Sequence, residues 1–456
     1  MSKFIKTMLL IGTLVLAAGC ASEETLIEPP SKSALGERAF KQSPALNLNQ
    51  TRPVDYEPVS TGDTLRYTEA LSLALARSPQ LEGFAWQVRI QEARRIQASR
   101  LPNPVIAADV ENIGGTGPFT GLGSRETSVR LSQEVLLGAD RLKFKQVAGL
   151  EKQLAGWDYE SARLDVLTGV TQAYITVLEA QQQVQLQEEL VGISQELYQT
   201  VQSQVQAGKV SPLAETRARV QLSNTQIDLR RARQNLSAQQ GNLAAFWGED
   251  QPRFTAVAGS LDMEETLPEL AELSAYIDRN PDVARWMTEI AHRESIVGLE
   301  KARQIPNPSI GGGYLRFNDI DAEALSVGIS IPLPVFNLNR GNIKAARYQV
   351  RQAEIDQVAA QVEANRALQS AYRSVEAARQ EVILSEAEVL PGAETALEAA
   401  QTGYRQGKFD YLEVLDAQRT LFSSRTRYIQ ALAEYSRAVA EVERLIGTPL
   451  SEITSN

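Results

Sequence analysis

The body of the sequence repeats itself, so the fold must place two copies of one plan side by side. Residues 69 to 150 contain Ser78-Pro79, a helical stretch ending at Arg100, Leu101-Pro102-Asn103-Pro104, and two segments of alternating polarity. Residues 274 to 350 contain Asn280-Pro281, a helical stretch ending at Gln304, Ile305-Pro306-Asn307-Pro308, and again two alternating segments. Farther along, Gln206-Ala207-Gly208-Lys209 matches Arg405-Gln406-Gly407-Lys408, and each opens a short linker and another helical run. Both halves read helix, strand, strand, very long helix, turn, helix. The pattern divides the body into a first repeat over 63–247, a connecting equatorial segment over 248–273, a second repeat over 274–447 and a tail over 448–456.

The helical runs are long. Proline is absent from Asp140 to Ala207 and from Asn342 to Leu390; Pro391 then interrupts a pattern that resumes to Gln406, which predicts a kink there. A run of about 68 residues makes roughly 100 Å of helix. In the last run Leu415, Phe422 and Ile429 recur every seven residues, as do Leu432, Val439 and Ile446. A seven-residue stripe is a coiled-coil seam, and one phase step joins the two sets.

The alternating segments carry a different signal. Thr127, Val129 and Leu131 alternate with Ser128, Arg130 and Ser132; Leu325, Val327, Ile329 and Ile331 alternate with Ser326, Gly328 and Ser330. Val105 to Ile113 and Ser309 to Phe317 are looser partners. Segments of about ten residues, apolar on one face and small or polar on the other, match strands that cross an outer membrane. Two soluble hairpins with one buried face would show the same alternation. Open sheet edges are forbidden in lipid, so a membrane reading requires oligomerisation: three copies would close a barrel of about 12 strands, wide enough for a lumen.

Composition removes other classes. Among 456 residues, 46 Lys and Arg face 56 Asp and Glu, a net charge of −10 that offers no basic face to nucleic acid. One Cys and one His leave no disulfide, no Cys/His zinc site and no nucleophilic triad beyond what Cys20 and His292 could supply. His292 lies in a helical run and reads as a packed or solvated helix residue. No phosphate-binding loop and no nucleophile elbow occurs, so the chain is expected to be no enzyme and to need no cofactor or bound metal.

Residues 1–19 read as an export signal: Lys3 and Lys6, the apolar run Met8 to Leu16, then Ala17-Ala18-Gly19 before Cys20. Small residues ahead of a cysteine at this place resemble a lipobox, which implies a diacylated Cys20. Residues 20–62, punctuated by Pro29, Pro30, Pro44, Pro53 and Pro58, read as a lipid-anchored extended arm.

The order of these features resembles the TolC-like outer-membrane efflux factor family. The residues carrying the likeness are Asn307-Pro308, Ile331-Pro332-Leu333-Pro334-Val335-Phe336-Asn337, Gly341-Asn342-Ile343, Tyr404-Arg405-Gln406-Gly407-Lys408, and Tyr411-Leu412-Glu413-Val414-Leu415-Asp416-Ala417-Gln418. Glu111 to Gly117 and Ser132-Gln133-Glu134 look closest to its heavy-metal (CzcC-like) branch, whereas Leu137-Gly138-Ala139-Asp140-Arg141 departs from that branch's usual Gly-Gly-Lys-Arg stretch. The resemblance implies a mainly α protein with a membrane β-barrel portion. Long coiled-coil hairpins and four strands per protomer would build a homotrimer, whose 12-strand barrel continues into an α-helical tunnel through the periplasm. It implies an inner-membrane RND pump and a periplasmic adaptor as partners, passive conduction of heavy-metal cations, and an outer-membrane location. Ducts for organic drugs or for type I protein secretion share the fold. A periplasm-spanning coiled coil without a channel would leave the strands unexplained.

Carried over residue by residue, the resemblance places Gly208 and Gly407 in turns at the periplasmic tip. Glu413 and Asp416, three apart on one helix face, become acidic rings at the narrowest point. Such crowded carboxylates are expected to hold raised pKa values and to make opening depend on pH. Tyr404 looks like the family's gate-locking tyrosine. At the position of its basic partner stands Phe409, with Lys408 beside it, and Glu215 is a further gate candidate in the first hairpin.

Overall fold

The computed structural model describes residues 63–137, 140–263 and 267–454. The leader, Cys20 and the arm up to residue 62 lie outside them. The chain begins with β1 (Thr64–Leu65), α1 (Tyr67–Arg77), α2 (Pro79–Ala98), β2 (Val105–Glu111), β3 (Glu126–Glu134), α3 (Asp140–Gln206) and α4 (Pro212–Ala244). After β4 (Ala256–Val257) and the short α5 (Leu270–Ser274), the plan recurs as α6 (Pro281–Ala302), β5 (Ser309–Phe317), β6 (Ala322–Ser330), α7 (Arg340–Leu384), α8 (Leu390–Arg405) and α9 (Tyr411–Ile446). A last turn, α10 (Leu450–Thr454), ends the described chain.

The repeated dipeptides start helices. Ser78 and Asn280 are N-caps whose side chains accept from the backbone N–H groups of Leu81 and Asp282, and Pro79 and Pro281 follow at a position needing no donor. Asn280 also donates from Nδ2 to the carbonyls of Arg444 and Leu445, fastening α6 to the end of α9.

Helix α3, with 67 residues, runs roughly 100 Å and is the spine of the molecule. Near the strands the helices lie side by side in the order α2, α3, α6, α7; farther down the order is α4, α3, α9, α8. The expected seam is present: Leu415, Phe422, Leu432 and Ile446 of α9 are buried, and Ile429 and Val439 pack partly against the same clusters. Just ahead of Pro391, where the sequence predicts a kink, the helix widens into a single π-helical turn over Ser385–Val389, immediately before α8. Proline has no N–H to return to the carbonyl of residue 387, and the wider turn absorbs that loss.

The four strands form one antiparallel sheet ordered β2-β3-β5-β6, so the two repeats join through the β3–β5 pair, with Val129 opposite Tyr314. Asn307 stitches the sheet to α3: its Oδ1 accepts from the Leu137 N–H at 2.9 Å, and its Nδ2 donates to Glu134 Oε1 at 3.0 Å and Asp140 Oδ2 at 3.3 Å.

A second, two-stranded parallel sheet pairs Thr64 with Ala256 and Leu65 with Val257, in the equatorial region. The Tyr174 hydroxyl of α3 sits 2.6 Å from the Ala258 carbonyl and 3.0 Å from that of Leu65, while Gln181 exchanges two hydrogen bonds with Val257. Burial raises Tyr174's pKa to about 12, so the hydroxyl remains a donor. Trp247, fully buried, closes this core beside Phe254.

Candidate functional site

Two surfaces carry the chemistry, the sheet at one end and the helical tip at the other. Cross-strand register sorts the sheet residues onto two faces. Along one face Ala108, Val129, Tyr314 and Leu325 form a row, beside a second row of Ile106, Leu131, Gly312 and Val327. The opposite face carries Ala107, Arg130, Gly313 and Ser326, then Asp109, Ser128, Leu315 and Ala324. Among the described residues nothing covers the apolar face: Val327 is 88% exposed and Ile106 73%. Strands β2 and β6 each have one edge unpaired among the described residues. Among the described residues, no helix is long and apolar enough to cross a membrane.

At the far end, both hairpins turn on glycines with left-handed backbone, Gly208 and Gly407, each at φ 72°. The N–H of Lys209 reaches back to the Gln204 carbonyl at 2.9 Å, and that of Lys408 to the Gly403 carbonyl at 2.8 Å, closing the last carbonyls of α3 and α8. Ser211 caps α4, and Asp410 caps α9 through the N–H groups of Leu412 and Glu413.

The sequence-expected gate residues fall together at this tip. Glu413 completes a capping box: its Oε2 accepts from the Asp410 N–H at 3.2 Å. Asp416 follows one turn on, and both side chains are exposed on the side of α9 opposite its buried Val414, Gln418 and Leu421. Tyr404 is 8% exposed, stacks edge-on against Tyr411 and donates to Gln204 Oε1 at 2.7 Å. Desolvation pushes its pKa upward, so it stays a donor. Glu215 is half-buried and accepts from Gln202 Nε2 at 3.3 Å and from the Tyr198 hydroxyl at 3.5 Å, bonds internal to the first hairpin. Phe409 lies against the backbone of Gly403, filling the space where any β-carbon at that residue would sit.

Sequence reasoning missed two contributors. Gln204 is the observed partner of Tyr404, and nothing local distinguishes it from the other glutamines of α3. Asp410 has a visible signature, an acidic residue three before Glu413 at a helix start. His292, read as a packed or solvated helix residue, is 7% exposed; its Nε2 stands 3.6 Å from Glu151 Oε1, and among the described residues neither ring nitrogen has a hydrogen-bond partner. Among the described residues no cluster of three or more His, Cys, Asp or Glu side chains is placed to hold a metal ion.

Residues 70–249 and 273–448 match the model of the family described as outer membrane efflux protein. The cobalt-zinc-cadmium resistance protein CzcC of Cupriavidus metallidurans is 32% identical over 397 residues, covering 87% of this chain and 93% of the relative. The nickel and cobalt resistance protein CnrC of the same organism is 27% identical over 303 residues, covering 66% of this chain and 71% of the relative. Among solved structures, the CmeC outer membrane channel of Campylobacter jejuni superposes with a TM-score of 0.70 at 16% identity, covering 91% of this chain and 97% of that one. A membrane protein from Pseudomonas aeruginosa gives 0.71 at 18% identity, covering 89% and 97%. The two matched segments take in most of the duplicated body, the relative at 32% identity spans nearly all of it, and the fold is that of the solved channels; the chain belongs to the outer membrane efflux protein family.

Proposed function

We propose that three copies of this chain form the outer-membrane conduit of a tripartite system that expels heavy-metal cations, fed by an inner-membrane RND pump through a periplasmic adaptor. The observation that carries this reading is the sheet: an exposed apolar face, a small and polar opposite face, and two open edges. Such a sheet is stable in lipid only when its edges are closed, and three copies of four strands close a barrel with the polar face inward. The long helices would continue that lumen into the periplasm, and acylation of Cys20 would add an anchor beside the barrel. The metal class is supported by relatives named for resistance to cobalt, zinc, cadmium and nickel.

In this reading the tip is the gate. Glu413 and Asp416 from three copies would stack two acidic rings across the exit from the pump, attracting cations and repelling anions. Tyr404 would hold the hairpins together, with Glu215 supporting the first of them. The turns at Gly208 and Gly407 would let the helix pairs converge. The cation passes as a hydrated ion, and the pump supplies the energy. Adaptor and pump open the gate by binding the open tip more tightly than the closed one.

Deleting the gene and measuring growth against zinc, cobalt, cadmium, nickel, copper and silver salts beside dyes, detergents and antibiotics tests the substrate class. Sensitivity to metals alone, restored by the intact gene, is expected. Sensitivity to organic compounds alone would overturn the metal reading and leave the conduit.

A further inference from the structure

The protomer has two lateral edges, and the side chains along them are opposite in charge. Near the sheet the helix order α2, α3, α6, α7 repeats the strand order β2, β3, β5, β6, so the edge helices stand below the edge strands. Toward the tip the edge helices are α4 and α8. Among the described residues α4 packs chiefly on α3, and α8 on α9.

Helix α4 carries five Arg (217, 219, 230, 231 and 233) against Glu215 and Asp228, a net charge of +3. Residues 385–405, the π turn and α8, carry four Glu (386, 388, 394 and 398) against Arg405, a net charge of −3. Arg233 and Glu394 are already used inside the protomer, by Glu188 and Arg425. Arg219, Arg230, Glu388 and Glu398 are exposed. Their heights match. Arg219 lies seven residues above Pro212 and Glu398 seven above Arg405, each about 10 Å from its turn. Arg230 and Glu388, 18 and 17 residues up, both stand about 26 Å from the tip. Arg219 and Arg230 are 11 apart, three full turns, and so share one flank.

Apolar side chains follow the same edges. Leu213, Val220 and Ile227 recur every seven residues on α4, and Tyr348, Ile355 and Val362 do so on α7. All six are exposed in the protomer, as are Trp86 and Ile90 on α2.

We infer that these edges are the contact between copies, with Arg219 meeting Glu398 of the next copy and Arg230 meeting Glu388 of the next copy, while the α7 stripe packs on α2 of the next copy. The inference rests on the trimeric reading and adds which residues set its register. Exposed ion pairs contribute little each, but a positive edge facing a negative one admits head-to-tail rings and penalises like edges meeting.

The test uses the full-length protein in membranes. Arg219→Cys and Glu398→Cys, singly and together, are treated with a short bismaleimide and run on denaturing gels. The doubly substituted chain should give covalent dimers and trimers, and each single variant no more than the parent, whose only cysteine is Cys20. Arg219→Glu should raise the concentration at which the extracted trimer dissociates by roughly tenfold, and adding Glu398→Arg should restore it. Native mass of the untreated parent separates the two claims. A trimer whose double variant does not cross-link and whose charge reversal changes nothing overturns the edge assignment alone. A parent that is not a trimer overturns the trimeric reading, and this inference with it.

Discussion

The hydroxyl of Tyr404 donates to Oε1 of Gln204, joining the last turn of α8 to the last turn of α3. These turns belong to different repeats, and each ends at its own left-handed glycine, Gly407 and Gly208. The bond therefore couples the two hairpins of one protomer, and any opening that separates them must break it.

Replacing Tyr404 by Phe keeps the ring packing against Tyr411 and removes only this bond. A net loss of about 1 kcal/mol from the closed arrangement is expected, roughly a fivefold shift toward open tips. Single-channel recordings in planar bilayers should show larger or more frequent openings, with thermal unfolding little changed. An unaltered conductance record would show that the bond does not restrain the tip.

Glu413 caps a helix and, in the proposed gate, also supplies charge, so its substitution must separate the two. Its carboxylate caps α9 through the Asp410 N–H, so Glu413→Ala would cost stability as well as charge. Glu413→Gln retains an acceptor at the same helix position, and Asp416→Asn removes the second charge without changing shape. The pair together should lower cation-over-anion preference and weaken block by multivalent cations, while the melting temperature moves by only a few degrees. Ion selectivity equal to the parent's would overturn the proposed gate role of these carboxylates.

Much of this arrangement is legible in the sequence because it depends on local chemistry. Ser78-Pro79 and Asn280-Pro281 start helices by capping, Gly208 and Gly407 end them, and alternation marks the strands to within two or three residues of their ends. What escaped is non-local. The β1–β4 pair is two residues long and forms across a separation of about 190 residues, where no periodicity can develop. Gln204 is one polar residue among many on α3, and only the fold brings it to Tyr404. Pro391 announces a distortion, but the sequence does not say that the helix would widen into a π turn before it.

The buried His292 predicts an acid-sensitive joint between α3 and α6. Burial lowers its pKa, against the raising influence of Glu289 and Glu151 and with the help of Arg293, which itself pairs with Glu289 at 2.7 Å. The unfolded chain therefore takes up a proton near the ordinary value of 6.5 while the folded chain resists. Stability from this site is full above that pH and falls as the pH drops through the lowered folded-state pKa. His292→Gln, which cannot charge, should narrow the difference in melting temperature between about pH 7.5 and pH 5. An identical pH dependence in parent and variant would place the acid sensitivity elsewhere.

Gly313 sets how closely β5 can approach β3. A β-carbon there would meet the carbonyl oxygen of Val129 and the hydroxyl of Ser326 at 2.9 Å, with the Cα of Arg130 at 3.3 Å. Ser326 can rotate away, but the Val129 carbonyl belongs to the ladder and cannot. Gly312, on the opposite face, would place its β-carbon 3.6 Å from the Ser326 carbonyl, an ordinary contact. Gly313→Ala should therefore cost about 1–3 kcal/mol through strand separation, whereas Gly312→Ala should be tolerated. Because β3–β5 is the join between the two repeats, a strained ladder there would widen the sheet that, in the proposed trimer, closes edge to edge with its neighbours. The amount of assembled protein recovered from outer membranes should fall sharply for the first variant and stay near the parent's for the second. Equal recovery of the two would mean that the sheet has room at this position, and that glycine serves there only to keep the polar face smooth.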